Sequence, residues 1–307
     1  MATITHVDTG RVVFLEEHHS VGRAANSALR VGDALRYVSL HHALLYWTGA
    51  QWEFKDLASR NGSFLNDERV APGKVHLLEV GMRIAFGKSE NQWLVTDTAP
   101  PMTMVVPLGE GEPLLAENDL IAIPSAQDPS VTLYRSVDGS WVLEQDISVT
   151  PITNQQTFGF GGRTFKFCCV QGDSKTSLAT ATGLEVRHLT LEFSVSKDEE
   201  HVSLRARSGA QYLDLGERNY HYLLLTLARQ RQKDASEGLQ ESSCGWVYQD
   251  DFAHDPAMAP QQLSVDVFRI RKQFAAAGVT DAASIIERRP RTKQLRIGAH
   301  RVSIVTV

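Results

Sequence analysis

The chain has 307 residues, 42% hydrophobic and 22% charged, which is long enough for two or three domains with cores of their own. A formal net charge of −5 argues against a general polyanion binder, and three cysteines (Cys168, Cys169, Cys244) do not make a disulfide framework. The sequence shows neither a long unbroken apolar run nor a basic stretch leading an apolar one, so no membrane contact is expected and a cytoplasmic protein is the simplest reading.

Charge is unevenly spread: residues 101–184 hold 4 Lys+Arg against 9 Asp+Glu, whereas residues 262–307 hold 9 against 3. Two stretches have connector composition. Thr98 to Pro113 is rich in proline and glycine, and residues 171–183 are small and polar. The expected division is 1–98, 99–170, a linker over 171–183, and 184–307.

Residues 1–97 predict short strands at Arg11–Leu15, Ala43–Trp47, Trp52–Leu57, Arg83–Phe86 and Trp93–Val95, separated by turn residues. Such spacing suggests a sandwich, with function on the loops at one end. Three loops carry unusual polar groups: Gly22-Arg23, Ser39-Leu40-His41-His42, and the stretch from Asp56 to Asn66.

Gly-Arg, then Ser-x-x-His, then Ser59-Arg60-Asn61-Gly62, followed by Gly81 and Ile84-Ala85-Phe86-Gly87, resembles the forkhead-associated (FHA) domain from about Thr3 to Asp97. The resemblance implies a phosphothreonine-binding sandwich that catalyses nothing. A phosphothreonine carries about −1.5 to −2 charge and three acceptor oxygens, so converging donors are required, at least one of them cationic. Arg23 and Ser39 suit that need. By the resemblance, Ser59 and Arg60 contact phosphate or peptide and Asn61 holds the peptide backbone. Gly22, His42 and Gly62 are structural, with His42 tying the Ser39 loop to its neighbour. Two residues depart from the pattern: Ser63 stands in place of the usual Thr, and Leu40 in place of a frequent Arg.

Residues 104–170 predict strands at Leu120–Ile123, Val131–Tyr134, Trp141–Leu143 and Thr164–Cys168. They echo the first segment: Ala43–Phe54 recurs as Val131–Leu143, Gly81–Phe86 as Thr157–Phe160, and Trp93–Val95 as Thr164–Phe167. The Ser-Arg-Asn-Gly loop has no counterpart. Two readings stay open, a degenerate FHA-like domain without a phosphate site and an unrelated β-rich spacer.

From Leu189, strands at Leu189–Val195, Val202–Ala206 and Gln211–Leu215 precede a helix over Glu217–Lys233. A second helical region opens at Gly245-Trp246-Val247-Tyr248, Pro256 and Pro260 mark a loop, and a third helix spans Gln262–Ala276 with Leu263, Val267, Ile270 and Phe274 as its buried stripe. Gln294–Ile297 and Arg301–Val305 predict a hairpin about Gly298. This order resembles the winged-helix effector domain of OmpR-type response regulators, on Leu213-Asp214-Leu215, Gly245-Trp246-Val247 and the run Leu263 to Phe274. An insertion over Gln232–Ser243 and the Arg288-Arg289-Pro290-Arg291 run depart from it.

The expected fold class is therefore multidomain: an all-β FHA sandwich, a β-rich middle segment and a C-terminal α+β winged helix. The winged-helix resemblance implies double-stranded DNA as a partner, with Arg269, Lys272 and Gln273 reaching bases or phosphates and Arg288, Arg289, Arg291, Lys293 and Arg296 near the backbone and minor groove. The alternative is a winged helix that binds protein, its charges a solvated face. The combined reading is an adaptor that docks a phosphothreonine-containing protein in a Ser/Thr kinase pathway, with either a transcription-regulating or a scaffolding output. No catalytic residue, cofactor or metal site is expected: there is no phosphate-cradling Gly-rich loop with Lys-Ser/Thr, and His18-His19 and His41-His42 are adjacent rather than one helical turn apart.

Overall fold

The computed structural model describes residues 1–31, 36–145, 148–170, 184–252 and 262–307. The expected linker over 171–183 and the Pro256–Pro260 loop lie outside them. The chain divides into two compact units, one comprising Met1–Leu115, Asn154–Gly159 and Arg163–Lys175, the other Ala116–Thr153, Phe160–Gly162 and Thr176–Val307.

In the first unit, eleven strands build two sheets: β1 (Thr3–His6), β2 (Val12–Phe14), β3 (His18–Gly22), β4 (Leu29–Arg30), β5 (Ala43–Trp47), β6 (Trp52–Asp56), β7 (Ser63–Leu65), β8 (Glu68–Arg69), β9 (Val75–Leu77), β10 (Arg83–Phe86) and β11 (Gln92–Asp97). Their orders are β2-β1-β11-β10-β7-β8 and β4-β3-β5-β6-β9. One core joins inward residues of both sheets, among them Ile4, Ile84, Phe86 and Trp93 from one and Val21, Leu45, Trp52 and Phe54 from the other. The period of two along a strand decides what comes inside. In β6, Trp52, Phe54 and Asp56 are buried and Glu53 and Lys55 between them are not, so the same alternation that buries two aromatic rings delivers a carboxylate to the end of the core.

The middle strands are β12 (Met104–Pro107), β13 (Leu114–Leu115), β14 (Leu120–Pro124), β15 (Pro129–Arg135), β16 (Trp141–Gln145), β17 (Ser148–Ile152), β18 (Thr157–Phe160) and β19 (Arg163–Cys168). They form two sheets of order β13-β12-β19-β18 and β14-β15-β16-β17. These orders repeat β2-β1-β11-β10 and β3-β5-β6-β9 of the first segment, and each sequence echo falls on the corresponding strand. Among the described residues the repeat has no counterparts of β4, β7 and β8. The segment 99–170 is nonetheless shared between the compact units: β12, β13 and β19 cluster with the first, and β14–β17 with the second.

The second unit continues with β20 (Thr190–Val195), β21 (Val202–Ser208), β22 (Gln211–Glu217), α1 (His221–Ser236), β23 (Val247–Tyr248), α2 (Gln249–Phe252), α3 (Gln262–Ala276), β24 (Ile286–Arg289), β25 (Gln294–Ile297) and β26 (Arg301–Thr306). Helix α3 has the bounds that its periodicity predicts. Three expectations are corrected. Glu217 ends β22, paired with Ser203, instead of starting the first helix. Val247-Tyr248 is a strand paired with Leu295 and Gln294, and the helix begins only at Gln249. The C-terminal hairpin does not form: β25 pairs with β24 and β23, while β26 runs parallel to β20 in the order β22-β21-β20-β26. Gly298 joins the two strands at a place with no room for a side chain, since a Cβ there would lie 1.9 Å from the Ser284 carbonyl oxygen. It is a close crossing point rather than a hairpin turn. The helix and strand order, with β24–β25 as the wing, is compatible with a winged-helix-like fold.

Candidate functional site

At one end of the first sandwich three loops converge, each held by backbone and side-chain bonds. The Arg23 and Ala24 amides donate to the Ser39 and Leu40 carbonyls at 3.0 and 3.1 Å, which fastens the first loop to the second. Gly22 permits that contact, because a Cβ there would stand 2.0 Å from the Leu40 oxygen. The second and third loops meet through His42. Its Nδ1 accepts the Ser39 amide at 3.1 Å, and its Nε2 lies 3.2 Å from the Gly62 carbonyl. This requires the neutral tautomer with the proton on Nε2. Burial pushes the ring below its ordinary 6.5, against the opposing pull of Asp56 and the Gly62 carbonyl.

Asp56, the inward carboxylate of β6, organises the third loop. It accepts the Ser59 amide at 2.9 Å, the Ser59 hydroxyl at 2.7 Å and the Ser63 hydroxyl at 2.6 Å. Burial would raise its carboxyl, but these donors and His42 hold it below the ordinary value. The sequence signal for this role is an acidic residue outside the family motif itself, on the buried phase of a strand with serines three and seven positions later.

Of the residues expected at the phosphopeptide, the structure gathers Arg23, Ser39, Arg60 and Asn61 at this rim. Arg23 Nε donates to the Val38 carbonyl at 2.6 Å, and the rest of its guanidinium has no partner among the described residues. Ser39 Oγ accepts the Arg60 amide at 3.0 Å, so its own proton remains to be donated. Asn61 Nδ2 donates to the Tyr37 carbonyl at 2.7 Å, and the residue is exposed. Arg60 is exposed, with no ion pair among the described residues. Ser59 is the exception: it is buried, and its one hydroxyl proton is given to Asp56. It shapes the loop and has no proton left for an anion. Gly62, at φ +80°, makes the turn expected of it.

The C-terminal candidates separate. Arg269 on α3 is exposed, as are Arg289 at the end of β24 and Arg291 and Lys293 between β24 and β25. Lys272 pairs with Glu117 at 2.7 Å. Gln273 faces inward, with Oε1 2.8 Å from His221 Nε2 and Nε2 donating to the Leu215 carbonyl at 2.7 Å. Arg288 is 5% exposed and lies 2.8 Å from Glu144 of β16. The expectation that Gln273 and Arg288 face DNA is corrected, because both are spent on protein contacts.

The cause is a second buried face on α3. Phe268 and Ala275 pack with Ala283 against Leu120, Ala122 and Tyr134 of the β14–β17 sheet. Beside them Arg271, 2% exposed, donates to Glu144 at 2.9 Å and to the Ala283 and Ile286 carbonyls at 3.0 and 3.1 Å, with its guanidinium 4.3 Å from the Tyr134 ring centre. Burial would raise the Glu144 carboxyl, yet Arg271 and Arg288 together hold it below its ordinary value. Arg271 lies off the stripe of Leu263, Val267, Ile270 and Phe274 that the helical period predicts to be buried. The available signal was Val265 and Phe268, apolar residues off the expected stripe.

Residues 19–87 match the family model of the FHA domain. No curated protein matches the chain. Among solved structures, an FHA domain studied for phosphothreonine-dependent interactions is 26% identical over 32% of this chain and 97% of its own, with a TM-score of 0.28. The FhaA FHA domain, solved with the intracellular domain of Rv3910, is 28% identical over 31% of this chain and 99% of its own, with a TM-score of 0.27. EmbR of Mycobacterium tuberculosis is 24% identical over 32% of this chain but only 25% of its own length, with a TM-score of 0.29. The N-terminal segment of this chain is an FHA domain, a member of a family of non-catalytic modules that bind phosphopeptides.

Proposed function

We propose that the protein is a phosphothreonine-dependent docking adaptor, in which a partner phosphorylated by a Ser/Thr kinase binds at Arg23, Ser39, Arg60 and Asn61. The observation that carries this is the allocation of protons at the rim: Arg23 is anchored through Nε with no other partner for its fork among the described residues, and the Ser39 hydroxyl accepts from Arg60 and has its proton to give. Charge-assisted bonds from such prepositioned donors are the strong ones for a dianionic ester. Asn61, fixed to the Tyr37 carbonyl, retains its side-chain oxygen and a second N–H for a peptide backbone.

The C-terminal unit serves in this reading as a protein-binding scaffold and not as a DNA reader. The support is the β14–β17 sheet lying on α3, with Arg271, Arg288 and Gln273 consumed in protein contacts. An OmpR-type transcription-regulating output is the second reading, favoured by the exposed Arg269 and the exposed wing cations Arg289, Arg291 and Lys293. The middle segment is in our reading a degenerate FHA-like repeat, supported by its matching strand orders.

Calorimetry with one peptide in phosphothreonine, phosphoserine and unmodified forms tests the docking claim. Affinity is expected for the first, to be lost in Arg23→Ala and Ser39→Ala. Equal affinity for the unmodified peptide overturns it. Titration of duplex DNA at two salt concentrations separates the outputs, since phosphate contacts through Arg269 and the wing demand steep salt dependence. Scaffolding predicts flat, negligible binding.

A further inference from the structure

The insertion over Gln232–Ser243, which the winged-helix resemblance does not explain, builds one wall of a cleft of about 500 Å³ between the C-terminal half of α1, residues 239–244 and the start of β26. That size is typical of small-molecule sites. Ala235, Leu239 and Val302 supply apolar wall, while Arg231, His300 and Arg301 supply cationic or donor groups against one carboxylate, Glu241.

Arg231 is the unusual member. Its side chain is 6% exposed, yet its contacts are long: Nη1 to the Ile297 carbonyl at 3.5 Å and Nη2 to Glu241 at 3.5 Å. A guanidinium has five N–H donors, and two contacts at 3.5 Å leave Arg231 with donor capacity for a better-placed acceptor. Burial and the neighbouring Arg296 both depress its pKa, so no nearby group compensates fully. Glu241 does not settle the account, being itself 67% exposed and held 2.7 Å from His300 Nδ1. Arg301 at the mouth is exposed and has no ion pair among the described residues.

We propose that this cleft binds a small organic carboxylate with a short apolar body, its carboxylate taken by Arg231 and Arg301 and its body laid on Ala235, Leu239 and Val302. Glu241 is the internal placeholder that the ligand displaces. The planar fork of arginine matches a carboxylate in two-point fashion, and the apolar wall selects an organic anion over an inorganic one.

The test is ligand-observed NMR and calorimetry on the full chain with benzoate and glutarate as probes, and benzamide and inorganic phosphate as comparators. Saturable binding of at least one carboxylate is expected, with benzamide at least tenfold weaker. Glu241→Gln should tighten binding several-fold by removing the competing charge. Arg231→Met should weaken it at least tenfold. Because Arg231 is buried, Arg301→Gln at the exposed mouth is the second variant and should weaken binding without altering the thermal transition. Phosphopeptide affinity at the FHA rim should stay unchanged in all three variants, which keeps this claim separate from the docking claim. Neither carboxylate binding better than benzamide, phosphate binding as well as the carboxylates, or unchanged affinity in Arg301→Gln would each overturn the proposal.

Discussion

Glu144→Ala is the sharpest test of how α3 is held. The carboxylate lies 2.9 Å from Arg271 Nη1 and 2.8 Å from Arg288 Nε, with all three side chains at most 6% exposed. Removing the acid strands two buried cations with unequal consequences. Arg271 keeps the Ala283 and Ile286 carbonyls, whereas Arg288 Nε and Nη2 have no hydrogen-bond partner among the described residues to replace the 2.8 Å ion pair with Glu144. Breaking a buried pair by deleting one partner costs about 3–5 kcal/mol, and a guanidinium only 5% exposed that loses its ion pair puts the expected loss at about 4 kcal/mol. Glu144→Gln, which keeps the shape and loses the charge, should fall between wild type and Ala. Replacing Glu144, Arg271 and Arg288 together by leucine and methionine should restore most of the loss, since an apolar core of similar volume needs no desolvation repaid. Urea unfolding of the full chain, with hydrogen exchange at residues 263–274 reporting on α3, measures this. Glu144→Ala within about 1 kcal/mol of wild type, with α3 protection unchanged, would refute the reasoning. The pH dependence follows with its sign. A carboxyl held below its ordinary 4.5 contributes stability that is present above 4.5 and lost as the pH falls through the folded value.

Gly22→Ala should cost about 1–3 kcal/mol and abolish phosphopeptide binding, because the new methyl meets the Leu40 carbonyl at 2.0 Å and drives the first two loops apart; thermal melts and calorimetry read both effects. His42→Ala should leave the Ser39 amide without its acceptor, costing about 1–3 kcal/mol and weakening phosphopeptide binding although His42 touches no ligand; normal affinity in a folded variant would show that the tie is dispensable. Ser59→Ala should cost stability through Asp56 and change affinity far less than Ser39→Ala, as measured by calorimetry on both variants. His19 is 2% exposed, and burial lowers its pKa from 6.5 to about 4. Its neutral form is thus favoured in the fold, so stability is complete above pH 6.5 and declines toward pH 4, by about 3 kcal/mol over that window. Hydrogen exchange of β3 and β5 across that range should show the decline, and His19→Gln should flatten it.

The sequence alone determined the things that are local. The three loops were legible because phosphate recognition needs particular donors at short spacings, and α3 because a buried stripe has a period of its own. The strand echoes fell on corresponding strands because alternation and turn residues are also local features. Tertiary structure decided everything that depends on a partner far along the chain. Ser39 and Ser59 look alike in the sequence, but Asp56 takes the proton of one and leaves that of the other. Arg271 looks like a surface cation until Glu144, 127 residues away, neutralises it. The apparent C-terminal hairpin became two strands in different sheets because the partner of β26 is β20, far back along the chain. A side chain's type sets which bonds it is able to make, whereas its fate depends on which of them the rest of the fold has already claimed.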